Sequence, residues 1–294
     1  MHIAVVGAGS LGSLLGGLLA REHRVTLVGR DPHMRAVREH GLRLTQAVET
    51  TVRPAAGTTP PAACDVALVT TKAFDTADAA ETLTDTDADC VVSLQNGLGN
   101  EATLAARLDC PVLAGVCTYG ARLTDPSVVA CTGKGTVRLG DPDGGPSERA
   151  DRLAARFRAA GVDATASDAM ARLLWRKLAV NVGINATTAL AGIENGGLLD
   201  GPARSVAATA ARETAAVARS EGIDLTDETV IDAVRSVART TRTNRSSMLQ
   251  DVDAERRIEV DAIVGPVADH DRPTPVAETL AGLLRAWERE RGLR

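Results

Sequence analysis

A lysine and two asparagines recur at a regular interval in an otherwise apolar segment of the chain. Lys177, Asn181 and Asn185 are four residues apart, and mostly aliphatic residues separate them. On a helix, this spacing places the three side chains on one face. Asparagine is a poor residue for a helix interior, and a buried amide costs free energy unless it is hydrogen-bonded. The pattern predicts a polar stripe that faces a binding cleft; a structural hydrogen-bond network between helices is the alternative.

An ammonium group in such a stripe suits the reduction of a carbonyl. Hydride attack builds negative charge on the carbonyl oxygen, and a cation within hydrogen-bond distance stabilises that charge and can deliver the proton. The chain has only three lysines, Lys72, Lys134 and Lys177, among 33 basic residues. Because arginine is effectively never deprotonated, a proton donor is to be sought among the lysines. Lys177 is the lysine that lies in the polar stripe.

A glycine-rich loop at the start of the chain predicts a dinucleotide site. The pattern Gly7-x-Gly9-x-x-Gly12 follows an apolar strand and opens an apolar helix. In this context Gly7 allows a tight turn, Gly9 lets the backbone approach a pyrophosphate, and Gly12 packs the helix on the strand. The helix N-terminus favours the phosphate charge. A glycine turn without a ligand is the alternative. The residues predicted to bind the cofactor are Gly7, Ala8, Gly9, Ser10, Leu11 and Gly12.

The end of the second strand indicates which dinucleotide is bound. An acidic residue there would bind the ribose 2′-hydroxyl of NAD, whereas an arginine would bind the 2′-phosphate of NADP. The sequence has both residues, as Arg30 and Asp31. Arg30 is nearer the strand, and Asp31 precedes Pro32 at a place typical of a helix N-cap. We therefore predict NADP(H) as the cofactor, with a solvated Arg30 as the alternative.

Short β-type runs alternate with helical patterns through the first half of the chain. This alternation predicts a parallel, doubly wound sheet. After about residue 167 the β-type runs vanish and helical periodicity continues, with predicted helices at residues 168–191 and 251–269 among others. The predicted fold is α/β: a Rossmann-type, NADP-binding domain over residues 1–167, followed by an all-helical substrate and catalytic domain over residues 168–294.

Composition excludes several classes of protein. The net charge of −5 over 294 residues provides no basic field for nucleic acid. The five cysteines are odd in number and lack C-x-x-C spacing, so we expect neither a metal site nor a disulfide framework, and a reducing cytoplasm is the simplest location. The apolar stretch at residues 2–20 follows no basic segment and is interrupted by glycines. We therefore expect neither a signal peptide nor a membrane anchor.

Further motifs follow the glycine loop in a fixed order. They are Lys72, Gln95-Asn96-Gly97, Lys177-x-x-x-Asn181-x-x-x-Asn185, Asn195-Gly196, Asn244-x-Ser246-Ser247-Met248-Leu249-Gln250-Asp251, and Glu259. Together these motifs and their spacings resemble the ketopantoate reductase (2-dehydropantoate 2-reductase) family. The resemblance extends from residue 3 to about residue 290. It implies NADPH-dependent reduction of 2-dehydropantoate to (R)-pantoate, on the route to pantothenate and coenzyme A.

The resemblance also implies a role for each matching residue. Lys177 corresponds to the general acid toward the C2 keto oxygen. Glu259 corresponds to a glutamate that accepts the substrate hydroxyl and helps to position Lys177. Lys72 and Asn96 match residues beside the nicotinamide end of the cofactor, and Arg30 matches a residue at the 2′-phosphate. The residues implied to bind the substrate are Asn96, Asn181, Asn185, Asn195, Asn244 and Ser247.

Simpler structural roles remain open for several of these residues. Lys72 and Asn96 follow predicted strands, and turn chemistry alone explains an Asn-Gly pair. Asn195 precedes two glycines that are typical of a turn ending a helix. Ser247 is either a helix cap or a residue of a loop or first turn, since a straight helix would place Glu259 about 120° away from it. We therefore predict that Glu259 lies inside the helix, with a solvated Glu259 as the alternative.

Two other functions fit parts of the same pattern. A related reductase of another branched 2-keto acid would share the whole framework; comparing ketopantoate with 2-ketoisovalerate separates the two, because only ketopantoate offers a hydroxyl to Glu259. A non-enzymatic NADP(H)-sensing protein would bind the cofactor without turnover, but it has no use for a proton donor. We expect a small 2-keto acid as the partner, with no nucleic acid or membrane. A homodimer is an open alternative for the assembly.

Overall fold

The computed structural model describes all 294 residues of the chain. Fourteen strands are present. They are β1 (His2–Val6), β2 (Arg24–Val28), β3 (Leu42–Gln46), β4 (Thr50–Val52), β5 (Ala55–Gly57), β6 (Ala63–Cys64), β7 (Val66–Val69), β8 (Asp87–Ala88), β9 (Val91–Ser93), β10 (Val112–Cys117), β11 (Gly120–Asp125), β12 (Val128–Gly133), β13 (Val137–Gly140) and β14 (Ala164–Ala166).

Thirteen α-helices accompany the strands, five of them in the first 160 residues. They are α1 (Ser10–Leu19), α2 (His33–His40), α3 (Thr76–Leu83), α4 (Asn100–Ala105), α5 (Glu148–Ala159), α6 (Met170–Asn181), α7 (Thr187–Ala191), α8 (Ala203–Ser220), α9 (Asp227–Thr240), α10 (Ser247–Asp253), α11 (Val260–Ile263), α12 (Gly265–Ala268) and α13 (Pro275–Glu290). Two 3₁₀ turns, Ala73–Asp75 and Asn195–Leu198, and one π turn, Val182–Ala186, complete the set.

The main sheet has eight strands in the order β14-β13-β10-β9-β7-β1-β2-β5. Neighbouring strands from β10 to β5 run parallel, whereas β13 pairs with β10 in the antiparallel sense. The strand order reverses direction beside β1, as in doubly wound folds. The predicted fold class, a Rossmann-type sheet followed by helices, is confirmed.

The central strands are apolar throughout because both faces of the sheet are covered. In β1, Ile3 and Val5 belong to one buried cluster, and Ala4 and Val6 belong to another. Successive residues of a strand point to opposite faces, so a strand that is buried on both sides reads as a continuous apolar run. This pattern allowed the strand before the glycine loop to be predicted from the sequence.

A second sheet was missed by the sequence analysis. It contains four strands in the order β11-β12-β3-β4, with β12 and β3 parallel and the two outer pairs antiparallel. Its strand β11 carries register irregularities on either side of Ala121–Leu123. Such segments show little regular alternation, and the pairing of β3 with β12 joins residues more than 80 positions apart, which local patterns do not reveal.

The helical part of the chain corrects two predictions. The helix predicted at residues 168–191 is divided into α6, the π turn and α7. The single helix predicted at residues 251–269 is wrong, because α10 ends at Asp253 and the short helices α11 and α12 follow an irregular segment. Glu259 is therefore the N-cap residue of α11 and is not inside a helix, as had been predicted. Runs of charged residues in this segment imitate helical periodicity without the apolar face that packing needs.

The chain forms two compact units. One comprises Met1–Gln95 and Gly99–Met170, and the other comprises Asn96–Leu98 and Ala171–Arg294. The boundary between residues 167 and 168 stays a prediction about where the functional domains divide. None of the helices has the length and apolar character that a membrane crossing requires.

A buried histidine links α2, α1 and the second sheet. The backbone N–H of Ser127 donates to Nδ1 of His33 over 2.9 Å, so Nδ1 carries no hydrogen and Nε2 must carry it. Nε2 then donates to Oγ of Ser13 over 2.8 Å, and the Ser13 hydroxyl donates to the carbonyl of Ala8. His33 and Ser13 are buried. The neutral ring therefore connects the glycine loop, at Ala8, to the residue that precedes β12.

This arrangement predicts a stability that falls in mild acid. Burial lowers the pKa of His33, so the unfolded chain takes up a proton more readily than the folded one. The contribution of His33 to stability is complete above its unfolded pKa of about 6.5 and is lost as the pH falls below it. We expect the unfolding temperature to drop between pH 7.5 and 5.5, and to drop less in His33→Gln. Burial also lowers the pKa of His2, but His2 is present in both proteins. Parallel pH profiles for the two proteins would contradict the expectation.

Candidate active site

The glycine loop lies between the end of β1 and the start of α1. The N–H groups of Gly7 and Ala8 both donate to the carbonyl of Val28, at 3.0 and 2.9 Å, which fixes the loop against the end of β2. The first hydrogen bond of α1 runs from Ser13 N–H to Gly9 O. The N–H of Gly9 donates to the carbonyl of Gly7 over 2.6 Å, whereas the N–H groups of Ser10, Leu11 and Gly12 precede the helical ladder. Such a helix start attracts anionic groups.

The three glycines of the loop meet different surroundings. Gly7 has a φ of +94°, and a Cβ there would lie 2.5 Å from the backbone nitrogen of Thr71. A Cβ on Gly12 would lie 2.6 Å from the carbonyl oxygen of Gly7. Gly9 is exposed, has no close neighbour and has a negative φ. Gly7 and Gly12 are therefore required by the fold itself, whereas the fold leaves the space above Gly9 open.

The other loop residues offer mainly their backbone. Ala8 is buried and Leu11 packs against the core of the sheet. Ser10 uses its hydroxyl to accept the N–H of Leu123 over 3.0 Å. An apolar loop with exposed N–H groups is suited to a phosphate that is bound through backbone donors.

At the end of β2, the structure separates the roles of the two charged neighbours. A carboxylate oxygen of Asp31 accepts the N–H of Arg35 over 2.9 Å and lies 3.5 Å from the guanidinium of Arg38, so it stabilises the first turn of α2. The side chain of Arg30 is 92% exposed, and its nearest charged partner is Asp75, at 3.8 Å. Arg30 thus keeps most of its hydrogen-bond donors available.

Lys72 and Asn96 follow two neighbouring strands of the sheet, β7 and β9. Lys72 is half-buried and precedes the 3₁₀ turn at Ala73–Asp75. Asn96 is half-buried as well and belongs to the short segment Asn96–Leu98, where Leu98 N–H donates to the carbonyl of Ala262 over 3.3 Å. Both residues lie at the carboxyl ends of parallel strands, where open α/β sheets bind ligands.

Gln95 is a polar residue that the sequence analysis named in the Gln95-Asn96-Gly97 motif without giving it a role. It is 5% exposed, and its amide nitrogen donates to the hydroxyls of Thr76, at 2.8 Å, and Thr71, at 3.1 Å. The Thr76 hydroxyl in turn donates to Asn100 over 2.9 Å. Gln95 therefore fixes the backbone on both sides of Lys72. A buried glutamine directly after an apolar strand was the signal that could have revealed it.

The polar stripe lies where α6 passes through the π turn into α7. Lys177 and Asn181 are half-buried, and Asn185 is only 7% exposed. An α-helix rotates about 100° per residue, so residues eight apart drift by about 80° around its axis. A π turn has i→i+5 hydrogen bonds and rotates less per residue. The π turn at Val182–Ala186 therefore offsets this drift and brings Asn185 back toward the line of Lys177.

Asn195 begins the 3₁₀ turn that follows α7, and α7 itself ends at Gly192 in the left-handed conformation. The backbone N–H of Asn195 donates to the carbonyl of Asn244 over 2.9 Å, and the side-chain amide nitrogen of Asn195 donates to the hydroxyl of Thr241 over 2.8 Å. Its side-chain oxygen is buried and has no hydrogen-bond partner. An unpaired buried acceptor costs free energy unless a ligand supplies a donor.

The remaining predicted residues lie near the start of α10 and of α11. Ser246 is the N-cap of α10: its hydroxyl oxygen accepts the N–H of Leu249 and the hydroxyl of Thr188, so the side chain of Ser247 is not the cap. Ser247 and Asn244 are exposed, whereas Glu259 is only 5% exposed. The Thr188–Ser246 bond joins the helix that carries Asn185 to the turn where Ser247 lies. Burial rules out the solvated alternative for Glu259.

A doubly wound sheet with a glycine loop at its first strand, followed by a helical unit with a polar stripe, defines a class of two-domain dinucleotide-binding oxidoreductases. The sequence profile described as "Ketopantoate reductase PanE/ApbA" matches residues 3–144, and that described as "Ketopantoate reductase PanE/ApbA C terminal" matches residues 169–288. The chain belongs to the ketopantoate reductase PanE/ApbA family.

Curated relatives and solved structures agree with this assignment. The chain is 42% identical to a 2-dehydropantoate 2-reductase of Halobacterium salinarum, over 99% of this chain and 100% of that protein. It is 36% identical to one of Archaeoglobus fulgidus, over 98% of each. A PanE/ApbA family ketopantoate reductase from Ralstonia eutropha superposes with a TM-score of 0.90 at 33% identity, covering 99% and 100% of the two chains. D-mandelate dehydrogenase with NADH and anilino(oxo)acetate superposes with 0.93 at 26%, covering both chains fully.

The glycine loop leads to a prediction with an internal control. Gly9→Ala adds a methyl group where the fold leaves open space, so we expect little change in the unfolding temperature but at least tenfold weaker binding of NADPH, because the methyl group keeps the phosphates from the backbone donors. Gly12→Ala should instead lower the unfolding temperature. Thermal unfolding and fluorescence titration with NADPH measure both effects. Unchanged NADPH affinity in Gly9→Ala would show that the phosphates bind elsewhere.

Proposed function

We propose that this chain reduces 2-dehydropantoate to (R)-pantoate with NADPH, on the route to pantothenate and coenzyme A. The observation that carries the proposal is the polar stripe of Lys177, Asn181 and Asn185 on a helix whose π turn keeps the three side chains in line. The relatives that match over nearly their whole length are named 2-dehydropantoate 2-reductases, which supports the same substrate here.

When bound, the nicotinamide cofactor would supply the hydride for the C2 carbon of the keto acid. Negative charge then develops on the keto oxygen, and Lys177 stabilises it and donates the proton that converts it to a hydroxyl. A half-buried lysine is suited to this role, because partial exclusion of water strengthens its attraction for the oxygen. The amides of Asn181 and Asn185 hold the substrate beside the ammonium group.

Polar groups of the helical unit hold the rest of the substrate. Asn195, whose side-chain oxygen has no hydrogen-bond partner, is assigned to the substrate together with Asn244, which it contacts through a backbone hydrogen bond. Ser247 contributes an exposed hydroxyl that can donate to the carboxylate. Asn96, at the end of β9, is assigned to both substrate and cofactor. These groups position a small polar acid and do not themselves change protonation state.

Glu259 is assigned to the substrate hydroxyl and to the positioning of Lys177. It is almost fully buried at the start of α11, and a buried carboxylate persists only where donors compensate for its lost hydration. Recognition of the hydroxyl by Glu259 would distinguish 2-dehydropantoate from 2-keto acids that lack one, because a buried acceptor left unpaired is costly.

The assignment of NADP(H) as the cofactor rests on the different contacts of the two charged residues at the end of β2. Asp31 is engaged with the first turn of α2, while Arg30 is exposed, so a 2′-phosphate would find a guanidinium and little competition from Asp31. The open space above Gly9 fits the pyrophosphate. We assign Lys72 to the nicotinamide end of the cofactor. The five cysteines form no disulfide, and we assign the enzyme to the reducing cytoplasm on that basis.

The proton-donor role of Lys177 has a direct test. The purified protein should oxidise NADPH when ketopantoate is added. Lys177→Ala should lower kcat by about 100-fold or more, within the range expected for loss of a general acid, while still binding NADPH. Lys177→Arg keeps the charge but cannot release a proton, so it should be almost as inactive. Arg176→Ala removes an exposed cation from the neighbouring position and should retain nearly full activity. Near-normal kcat in Lys177→Arg would show that no proton passes through this side chain.

The cofactor preference is tested at Arg30. Arg30→Ala removes the proposed partner of the 2′-phosphate, so the KM for NADPH should rise about tenfold or more while the KM for NADH stays nearly constant. Arg35→Ala, at an exposed position on α2, removes an equal charge nearby and serves as the control. Steady-state kinetics with both cofactors measures the effect. An equal rise for NADPH and NADH in Arg30→Ala would place the 2′-phosphate away from Arg30.

A further inference from the structure

Two adjoining cavities lie in the helical unit, between α8 and α9. Their volumes are about 270 and 430 Å³. Both are lined by Arg204, from the first turn of α8, and by Arg235, from the middle of α9. Arg212 lines the first cavity, and Arg239 lines the second. Four arginines from two helices therefore line one surface depression, whose two parts share Arg204 and Arg235.

These arginines have few carboxylate partners. Arg204, Arg212 and Arg239 form no ion pair, and Arg235 has only Asp232 on its own helix, at 3.8 Å. The one carboxylate that lines either cavity is Asp200. Elsewhere in the same unit, in contrast, Arg285 pairs with two carboxylates, those of Asp261 and Asp269. Like charges that gather without counter-ions repel each other, so an anion bound among them would be stabilised.

The cavities also offer apolar and hydroxyl groups. Leu198 and Val234 line the first cavity, and both are buried. Ser205 and Thr209 line it as well, one turn of α8 apart. A surface of this kind suits a ligand with an anionic end and a small apolar end, since binding sites commonly combine an apolar lining with a few placed polar groups.

We propose that this arginine-lined depression is a binding site for a small organic diphosphate. Guanidinium groups bind phosphate oxygens in pairs, and two linked phosphates offer more oxygens to the four arginines than a single phosphate or carboxylate does. The apolar part of the ligand lies against Leu198 and Val234. The residues that form this site lie in α8, α9 and the turn before α8, and none of them is assigned to substrate or cofactor above.

Binding is measured directly, so the test does not depend on the proposed reductase activity. Isothermal titration calorimetry of the full chain with inorganic pyrophosphate and with dimethylallyl diphosphate is the experiment. We expect both probes to bind and dimethylallyl diphosphate to bind about tenfold more tightly, because its five-carbon tail can bury apolar surface. The double variant Arg204→Ala/Arg235→Ala should weaken both by about tenfold or more.

Matched controls separate this site from general charge effects. Arg152→Ala/Arg156→Ala removes two exposed arginines from α5 and should leave both affinities unchanged. All four substituted positions are exposed, and thermal unfolding checks that each variant is folded. Absence of binding at millimolar probe would overturn the proposal. Equal affinities in the native chain and Arg204→Ala/Arg235→Ala would overturn it too, since the probe would then bind at the glycine loop or another site. Equal affinities for the two probes would overturn the apolar part of the assignment.

Discussion

In the proposed mechanism, an ammonium group and two amides must lie in line on a helix that is otherwise apolar, and the rest of the proposed site depends on that constraint. A regular α-helix would let Lys177 and Asn185 drift apart around its axis. The π turn at Val182–Ala186 offsets the drift, and Gly183 within it permits the close approach of α8, since a Cβ there would lie 2.8 Å from the carbonyl of Ala207. Irregular helical backbone of this kind is frequent at functional sites. Here it has an identifiable geometric effect.

In the same proposal, the first unit has a different task, which is to bind the phosphates of the cofactor through backbone N–H groups. Two glycines allow the loop to approach the end of β7, and the third leaves its surface open. Buried polar groups then make the loop rigid: His33 holds it through Ser13, and Gln95 holds the segment around Lys72. Buried hydrogen bonds of this type cost more to break than they contribute when formed, so they fix one conformation. The two units thus use different means to fix polar groups, a helix irregularity in one and buried side-chain networks in the other.

The sequence predicted those parts of the fold that rest on local pattern. Both faces of the main sheet are covered, so its strands appear as apolar runs, and the glycine loop was recognised by its place between a strand and a helix. The second sheet and the placement of Glu259 were not predicted. Strand pairs such as β3 with β12 are distant in sequence, and the charged run before Glu259 resembles a helix although the chain turns there. The π turn was missed because it leaves the helical periodicity almost intact. The buried roles of Gln95 and His33 depend on partners that only folding brings close.

In the proposed mechanism, the Lys177 ammonium group acts on the C2 oxygen of the substrate. A crystal structure of the complex with NADP⁺ and (R)-pantoate would test this role, because the product carries the newly formed hydroxyl. We predict that Nζ of Lys177 lies within about 3 Å of that C2 oxygen, as a proton donor must. A complex in which another side chain contacts the C2 oxygen, and Lys177 points away from the product, would contradict it.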